Sequence, residues 1–336
     1  MGLTTHLVEM MEGYSKALYS SFFLFRNYDL LFDCGEGCAA RLDRHQFRAR
    51  WVCISHAHHD HSGGLKGLFL ARAYTKGSND REMTVFYPDR SPSMDRLRRW
   101  LERDLPRLPF ALDWAPVGPG FRLRLSQEGA RVPVDLEAFA ADHYAREACL
   151  GFRVVEGRKR LRPQYAGLAP QEVARIAHEK GHDALMEDFE KTILVYSGDS
   201  APLPVEVVRG ADLLLHDATF LSEKDREEPG HASVEQVLTL ARAAEVSGVL
   251  LVHTSHRYSL RAVRKAIPRI LKRTKYEGDL WIQWLDRTER LDEPEARVED
   301  KNGDAREESA VSSPTDDAYG PRSTVRAREE EMERTG

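Results

Sequence analysis

No stretch of the 336-residue chain approaches the ~20 consecutive apolar residues that a membrane-spanning helix needs, so no membrane role is expected. The opening "MGLTTHLVEMMEGYSK" has no basic start followed by a long apolar stretch, which predicts no secretory signal. It also lacks the Ser or Thr that myristoylation wants at the sixth position. Cysteine is scarce: Cys34, Cys38, Cys53 and Cys149 are too few for a disulfide framework and read as buried thiols in a reducing compartment. A cytoplasmic location is the expectation. An excess of positive charge is missing as well. The net charge is −5, and residues 293–336 carry 13 acidic against 7 basic side chains, leaving about +1 for residues 1–292. The folded part therefore gives no global signal for nucleic acid. That acidic segment contains only five large apolar residues, too few to offset the entropy of ordering it, and is predicted to be a disordered tail.

What remains, residues 1–292, reads as one layered α/β domain. Short apolar runs of strand length occur at 29–33, 51–55, 83–88, 149–155, 192–199, 211–217, 247–254 and 279–286. Between them lie stretches of helical period. Residues 233–246 repeat Val234, Val237, Leu238, Ala241 and Ala244 on one face, and 259–273 do the same with Pro268 as an expected kink or boundary. Such alternation predicts sheets covered by helices. Residues 156–190 differ in character, with a basic "GRKRLRPQY" and then a short helix, and read as an insertion.

The chemistry concentrates at "SHAHHDHSGGL", residues 55–65. His56 and His58, two apart in extended chain, face the same way. A turn then brings up Asp60 and His61, and Gly63 and Gly64 permit a close backbone approach. One ion can take His56 and His58, and a second Asp60 and His61. Imidazole and carboxylate without thiolate suit zinc, manganese or iron in a hydrolytic site. Other strands end alike: His143 before "CLGF", Asp199 after "ILVYSG", His216 and Asp217 after "ADLLL", and His253 after "SGVLLV". Apolar strands ending in His or Asp place these groups on one rim, where α/β folds build sites.

The motifs "FDCGEG" (32–37), "SHAHHDHSGGL", "DH" (142–143), "YSGDS" (196–200), "LLHDATF" (214–220), "GHAS" (230–233) and "LVHTSHRYS" (251–259) occur in an order that resembles ribonuclease Z. That group is the tRNA 3′-end-processing branch of the metallo-β-lactamase superfamily. The resemblance covers residues 13–286 and implies a four-layer αββα sandwich with a dinuclear zinc centre, manganese or iron being alternatives. It implies His56, His58 and His143 on one metal, Asp60, His61 and His253 on the other, and Asp199 bridging both beside a hydroxide nucleophile. Asp60 would also orient that nucleophile, and His231, polarised by Asp217, would protonate the leaving ribose oxygen. Asp33, Glu36 and His216 would orient ligands from beneath. Ser255 and Arg257, in the H-x-S-x-R-Y ending, are candidates for substrate contact. A homodimer is implied too. His59, His178, His182 and His256 are left without a role.

Three departures bear on the substrate. The glycine-rich loop and Pro-Ser pair of the family are replaced by "EGYSKALYSSFFLF". Segment 156–190 stands where the tRNA-gripping arm is expected, lacks its Gly-Pro motif, and carries Arg158, Lys159, Arg160 and Arg162 as a phosphate patch or a solvated face. Asp217 replaces a glutamate one methylene longer. Two substrates therefore stay open: an RNA 3′ end such as a tRNA precursor, or a small ester such as a cyclic nucleotide, lactone or thioester. A non-catalytic protein would have no use for seven metal ligands.

Overall fold

Alternation along the strands decides the layering. The computed structural model describes residues 2–75, 81–127, 129–143, 147–226 and 229–292; the predicted acidic tail lies outside them. Six strands, β1 (Met11–Lys16), β2 (Ser20–Phe25), β3 (Leu30–Phe32), β4 (Trp51–Cys53), β5 (Met83–Pro88) and β6 (Leu112–Val117), form one sheet in sequential order. Eight more form a second sheet: β7 (Arg122–Arg124), β8 (Val134–Ala141), β9 (Cys149–Leu161), β10 (Met186–Tyr196), β11 (Leu213–Asp217), β12 (Gly248–Val252), β13 (Asp279–Trp284) and β14 (Arg287–Arg290). Strands β3 to β6 and β10 to β13 run parallel.

Successive side chains point to opposite faces, so each strand feeds two cores. Phe23, Phe25 and Phe32 meet Phe152, Val154, Leu194, Leu250 and Val252 between the sheets. Their neighbours Phe22, Leu24 and Leu31 pack outward on Leu65, Leu68 and Phe69 of the helix Leu65–Tyr74 and on Met94 and Leu101 of the helix Pro92–Asp104. On the far side Val249 and Leu251 pack on the helices Val234–Ala243 and Leu260–Thr274 through Val237, Leu238, Val263 and Ile267. Three cores between four layers make the αββα sandwich expected from the sequence. Ser233 caps the first of the outer helices, reciprocated by Gln236. The other runs through Pro268 to Thr274, so Pro268 is no boundary. Among the described residues no helix is long and apolar enough to cross a membrane.

Segment 156–190 continues the core strands. The ends of β9 and β10 pair antiparallel from Glu156↔Lys191 to Leu161↔Met186, and the helix Pro170–Lys180 lies beyond their tips. On this ribbon Arg158 pairs with Glu156 at 2.7 Å, Lys159 with Asp183 at 3.1 Å and Arg160 with Glu187 at 2.7 Å.

Candidate metal centre

The parallel registers bring the polar strand ends to one rim. Phe32 lies level with Cys53, and Asp217 with Val252. Asp33 therefore sits beside the chain leaving β4, and Asp217 beside His253. Past β4 the chain stays extended to His58 and then turns into a single helical turn, His59–Ser62, which presents Asp60 and His61. That turn packs tightly on the loop after β3: Cys34 N–H donates to His61 O at 2.7 Å, and Gly64 N–H to Cys34 O at 2.8 Å. A Cβ on Gly64 would stand 2.1 Å from Gly35 O, so the expected close approach at that glycine is real. Asp33 and His253 follow their strands at φ of 56° and 60°. Left-handed backbone there costs each about 1–2 kcal/mol, which the surrounding hydrogen bonds offset.

Two clusters result. His56, His58 and His143 form one, and Asp60, His61, Asp199 and His253 the other, with donor atoms in each within 4.8 Å of one another; a further group, Asp199, Asp217, His231 and His253, overlaps the second. Asp199 belongs to both in reach. Its carboxylate lies 3.2 Å from His61 Nε2 and 3.2 Å from His253 Nε2, and 3.9 and 4.0 Å from the Nε2 atoms of His56 and His143. All seven expected ligands are thus brought together.

The imidazoles are aimed by what holds their far nitrogens. His61 Nδ1–H donates to Asp33 Oδ2 at 2.6 Å. His143 Nδ1–H donates to Gly230 O at 3.0 Å. His56 Nδ1 is 3.0 Å from Ser55 Oγ, which itself donates to Asp33 Oδ2 at 2.8 Å. His253 Nδ1 is 3.0 Å from Thr219 Oγ1, which donates to Asp217 Oδ1 at 2.7 Å. All four Nε2 atoms thereby face inward, an arrangement characteristic of metal-binding histidines. That of His56 is buried with no hydrogen-bond partner. An orphaned buried acceptor of this kind is costly unless a cation takes it, so the residues fit a metal.

Electrostatics agree. Burial, then the charge of His61, pushes the His56 imidazole well below its ordinary value, and partial desolvation of its ring with the charge of His143 lowers that of His58. Both stay neutral and able to ligate. Burial also opposes charge on His61, but the Asp199 and Asp33 carboxylates outweigh it and hold its pKa well above the usual. Burial alone would raise Asp60; the hydrogen bond to His253 and the charge of His61 instead bring it to about 2. In the metal-free site the proton on His61 balances the carboxylates, and an entering cation has to displace it.

Beside the clusters, His231 Nδ1–H donates to Asp217 Oδ2 at 2.6 Å. The shorter aspartate does reach, and hydrogen bonds hold it in place. Asp217 N–H donates to Ser197 Oγ at 3.0 Å, and its carboxylate accepts from Ser200 N at 3.2 Å and Thr219 N at 2.9 Å. Burial would raise the Asp217 carboxyl, but His231 holds it below the ordinary value and ionised.

Three expected roles change. Glu36 does not lie beneath the site; its side chain is 66% exposed and pairs with His59. His216 orients no ligand: fully buried, its Nδ1–H donates to Asp217 O at 2.8 Å and its Nε2 accepts from Leu203 N at 3.3 Å. Ser255 is buried, its Oγ accepting from Arg257 N at 3.4 Å and its carbonyl from Lys16 Nζ at 3.3 Å, so it shapes its own loop. Arg257, the other candidate for substrate contact, has its guanidinium 5.3 Å over the Phe220 ring.

The residue that does most beneath the site is Asp33, which takes hydrogen bonds from Ser55 N, Ser55 Oγ, His61 Nδ1 and Tyr196 Oη at 2.6, 2.8, 2.6 and 2.6 Å. Asp33→Ala removes the shared acceptor of four buried donors. We expect a stability loss of about 3–5 kcal/mol in urea unfolding of the metal-free protein, and metal affinity lower by about 10–100-fold in a competition titration. Unchanged metal affinity would show that His61 is aimed by packing alone.

A family model described as Anti-Pycsar protein Apyc1 matches residues 10–96, and one described as the beta-lactamase superfamily domain matches residues 184–254. The metallo-beta-lactamase fold protein YhfI from Bacillus subtilis superposes with a TM-score of 0.56 at 18% identity, over 83% of this chain and 99% of that one. The short form of human tRNase Z superposes at 0.51 with 21% identity, over 74% and 93%. These likenesses establish the metallo-β-lactamase fold. Ribonuclease Z of Archaeoglobus fulgidus is 30% identical over 283 residues, spanning 76% of this chain and 86% of the relative. On that relationship the chain belongs to the ribonuclease Z family of metal-dependent hydrolases.

Proposed function

We propose that the protein is a phosphodiesterase of the ribonuclease Z kind that cleaves RNA endonucleolytically at 3′ ends, tRNA precursors included. The observation that carries this reading is the 2.6 Å contact of His231 with Asp217 on the same rim as both clusters. Clusters alone would serve any hydrolase of the fold. A partly buried, carboxylate-held imidazole beside them serves a leaving group that needs a proton, as a ribose oxygen does.

Two divalent cations, zinc or else manganese or iron, would be held by His56, His58 and His143 and by Asp60, His61 and His253, with Asp199 shared. Bound there they supply Lewis acidity, drawing a nucleophile from water at neutral pH and offsetting phosphoryl charge. The chain's own groups do the rest. Asp60, ionised down to about pH 2, accepts a hydrogen bond from the attacking water and fixes its direction. As the phosphorus–oxygen bond to ribose breaks, His231 Nε2 gives its proton to the departing oxygen, and Asp217 stabilises the imidazolium beforehand. The family reading also brings a cytoplasmic homodimer, which sedimentation and cell fractionation test.

A small ester as substrate is the second reading. It is favoured by the ion pairs of Arg158, Lys159 and Arg160, which leave those cations less able to hold RNA phosphates. A tRNA precursor with a 3′ trailer separates the two. A metal-dependent cut after the discriminator nucleotide, lost in the His58→Ala variant, is expected; His58 is exposed, so its removal leaves packing intact. Intact precursor alongside hydrolysis of bis(p-nitrophenyl) phosphate would select the small ester. Hydrolysis of neither would end both readings.

A further inference from the structure

The turn between β1 and β2, residues 17–19, stands against the metal centre. Leu18 N–H donates to Asp60 Oδ2 at 3.1 Å. The segment leading into it is fixed to the loop that carries His253: Ser15 Oγ accepts from His253 N at 2.7 Å, Lys16 Nζ donates to Ser255 O at 3.3 Å, and Ala17 N donates to Thr254 O at 3.3 Å. Tyr19 N–H returns to Lys16 O at 3.1 Å. The tip is therefore held to both ligand-bearing loops.

Its side chains are the opposite of what a solvated turn needs. Leu18 is 75% and Tyr19 61% exposed, and Leu18 adopts φ of 68°, where glycine or asparagine is the ordinary choice. The other large apolar side chains exposed among the described residues, Leu3, Tyr74, Trp100 and Val132, are scattered over other elements. Here two stand side by side on an anchored, strained turn whose backbone touches a cluster carboxylate. Neither contributes its apolar surface to a core.

We propose that Leu18 and Tyr19 form an apolar platform at the mouth of the site that receives the nucleobase next to the scissile phosphate. This rests on the phosphodiesterase reading above and adds what the substrate must carry. A base one ribose away from a phosphate at the clusters meets the rim that Asp60 shares with Leu18. An aromatic ring beside a branched aliphatic side chain stacks any base, so the platform favours nucleotides over simple esters without selecting a sequence.

The test compares two esters with one leaving group, thymidine 5′-(p-nitrophenyl phosphate) and methyl p-nitrophenyl phosphate, on the metal-loaded full chain. The ratio of their kcat/KM values measures the contribution of the nucleoside. In Tyr19→Ser and in Leu18→Gly, which suits the left-handed backbone, that ratio is expected to fall about tenfold through KM. Tyr19→Phe keeps it. A ratio unchanged in both variants overturns the platform. So does a parallel fall for both esters accompanied by a smaller sedimentation mass, which would make the turn a contact with a second copy. If the wild-type protein hydrolyses neither ester, the phosphodiesterase reading fails first and the platform with it.

Discussion

Asp199→Ala is expected to lower kcat/KM for phosphodiester hydrolysis by about 10⁴-fold or more, the scale on which loss of an essential group leaves only residual binding effects. The reason is its place between the clusters, within 3.2 Å of His61 and His253 and within 4.0 Å of His56 and His143. One substitution removes the carboxylate oxygens that stand between the two clusters. Metal content after dialysis, measured by inductively coupled plasma mass spectrometry, should fall with the activity. Added zinc should raise Tm in the wild type and far less in the variant, since a ligand stabilises only to the extent that it binds the folded state.

Proton linkage gives the same prediction a second readout. Burial opposes charge on Asp199, but His253 and His61 hold its pKa well below the carboxylate range, while Asp199 and Asp33 hold that of His61 well above the imidazole range. In the metal-free wild type, the raised His61 pKa adds stability below about pH 6.5, lost as pH rises through the folded value. The depressed Asp199 pKa adds stability above about pH 4, lost as pH falls through its folded value. Asp199→Ala removes the carboxylate of that pair and the largest charge that raises His61, so the metal-free variant should lose most stability, relative to wild type, between those limits. Metal uptake by wild-type protein should release protons, seen as a binding enthalpy that varies with the buffer. Full metal content with normal turnover in Asp199→Ala would remove Asp199 from the centre.

How much of this was legible depends on distance along the chain. His56, His58, Asp60 and His61 could be read directly because strand and turn geometry fix residues two to five apart. The strand ends named the rest, since an apolar run ending in His or Asp has little other reason to do so. Asp33 was read as supporting the site, but its reach was not: Tyr196 lies 163 positions away and Ser55 carries no pattern of its own. Thr219, which ties Asp217 to His253, is hidden for the same reason. Glu36 misleads by proximity. Gly35 packs under Asp60 O, where a Cβ would stand 2.2 Å away, and Gly37 at φ of 76° helps turn the chain, leaving Glu36 in solvent beside His59. The first two strands escaped because Phe22 to Phe25 are buried on both faces and show no alternation. The outer half of the β9–β10 ribbon escaped for the opposite cause: its residues are largely polar and paired by charge, so the ladder continues where the apolar signal stops.

His231→Ala is expected to slow cleavage of a ribonucleotide phosphodiester by about 10²–10⁴-fold in kcat, with metal content unchanged. The effect should depend on the leaving group. A ribose oxygen must be protonated as it departs, whereas p-nitrophenolate leaves as a stabilised anion, so hydrolysis of a p-nitrophenyl ester should lose far less. The alkaline fall in kcat that marks a required acid should vanish in the variant for the ribonucleotide substrate. Asp217 sharpens the test, because its carboxylate is already filled by His231, Thr219 and Ser200. Asp217→Glu restores the glutamate expected at this position from the family resemblance, but has to fit an extra methylene into a fully buried site. It should destabilise the fold by about 1–3 kcal/mol and cost activity by displacing His231. A purely structural His231 would move both substrates equally; an acid moves the poor leaving group alone. Equal losses for the two esters would therefore assign the 2.6 Å contact to packing, and would leave the reaction without its proton donor.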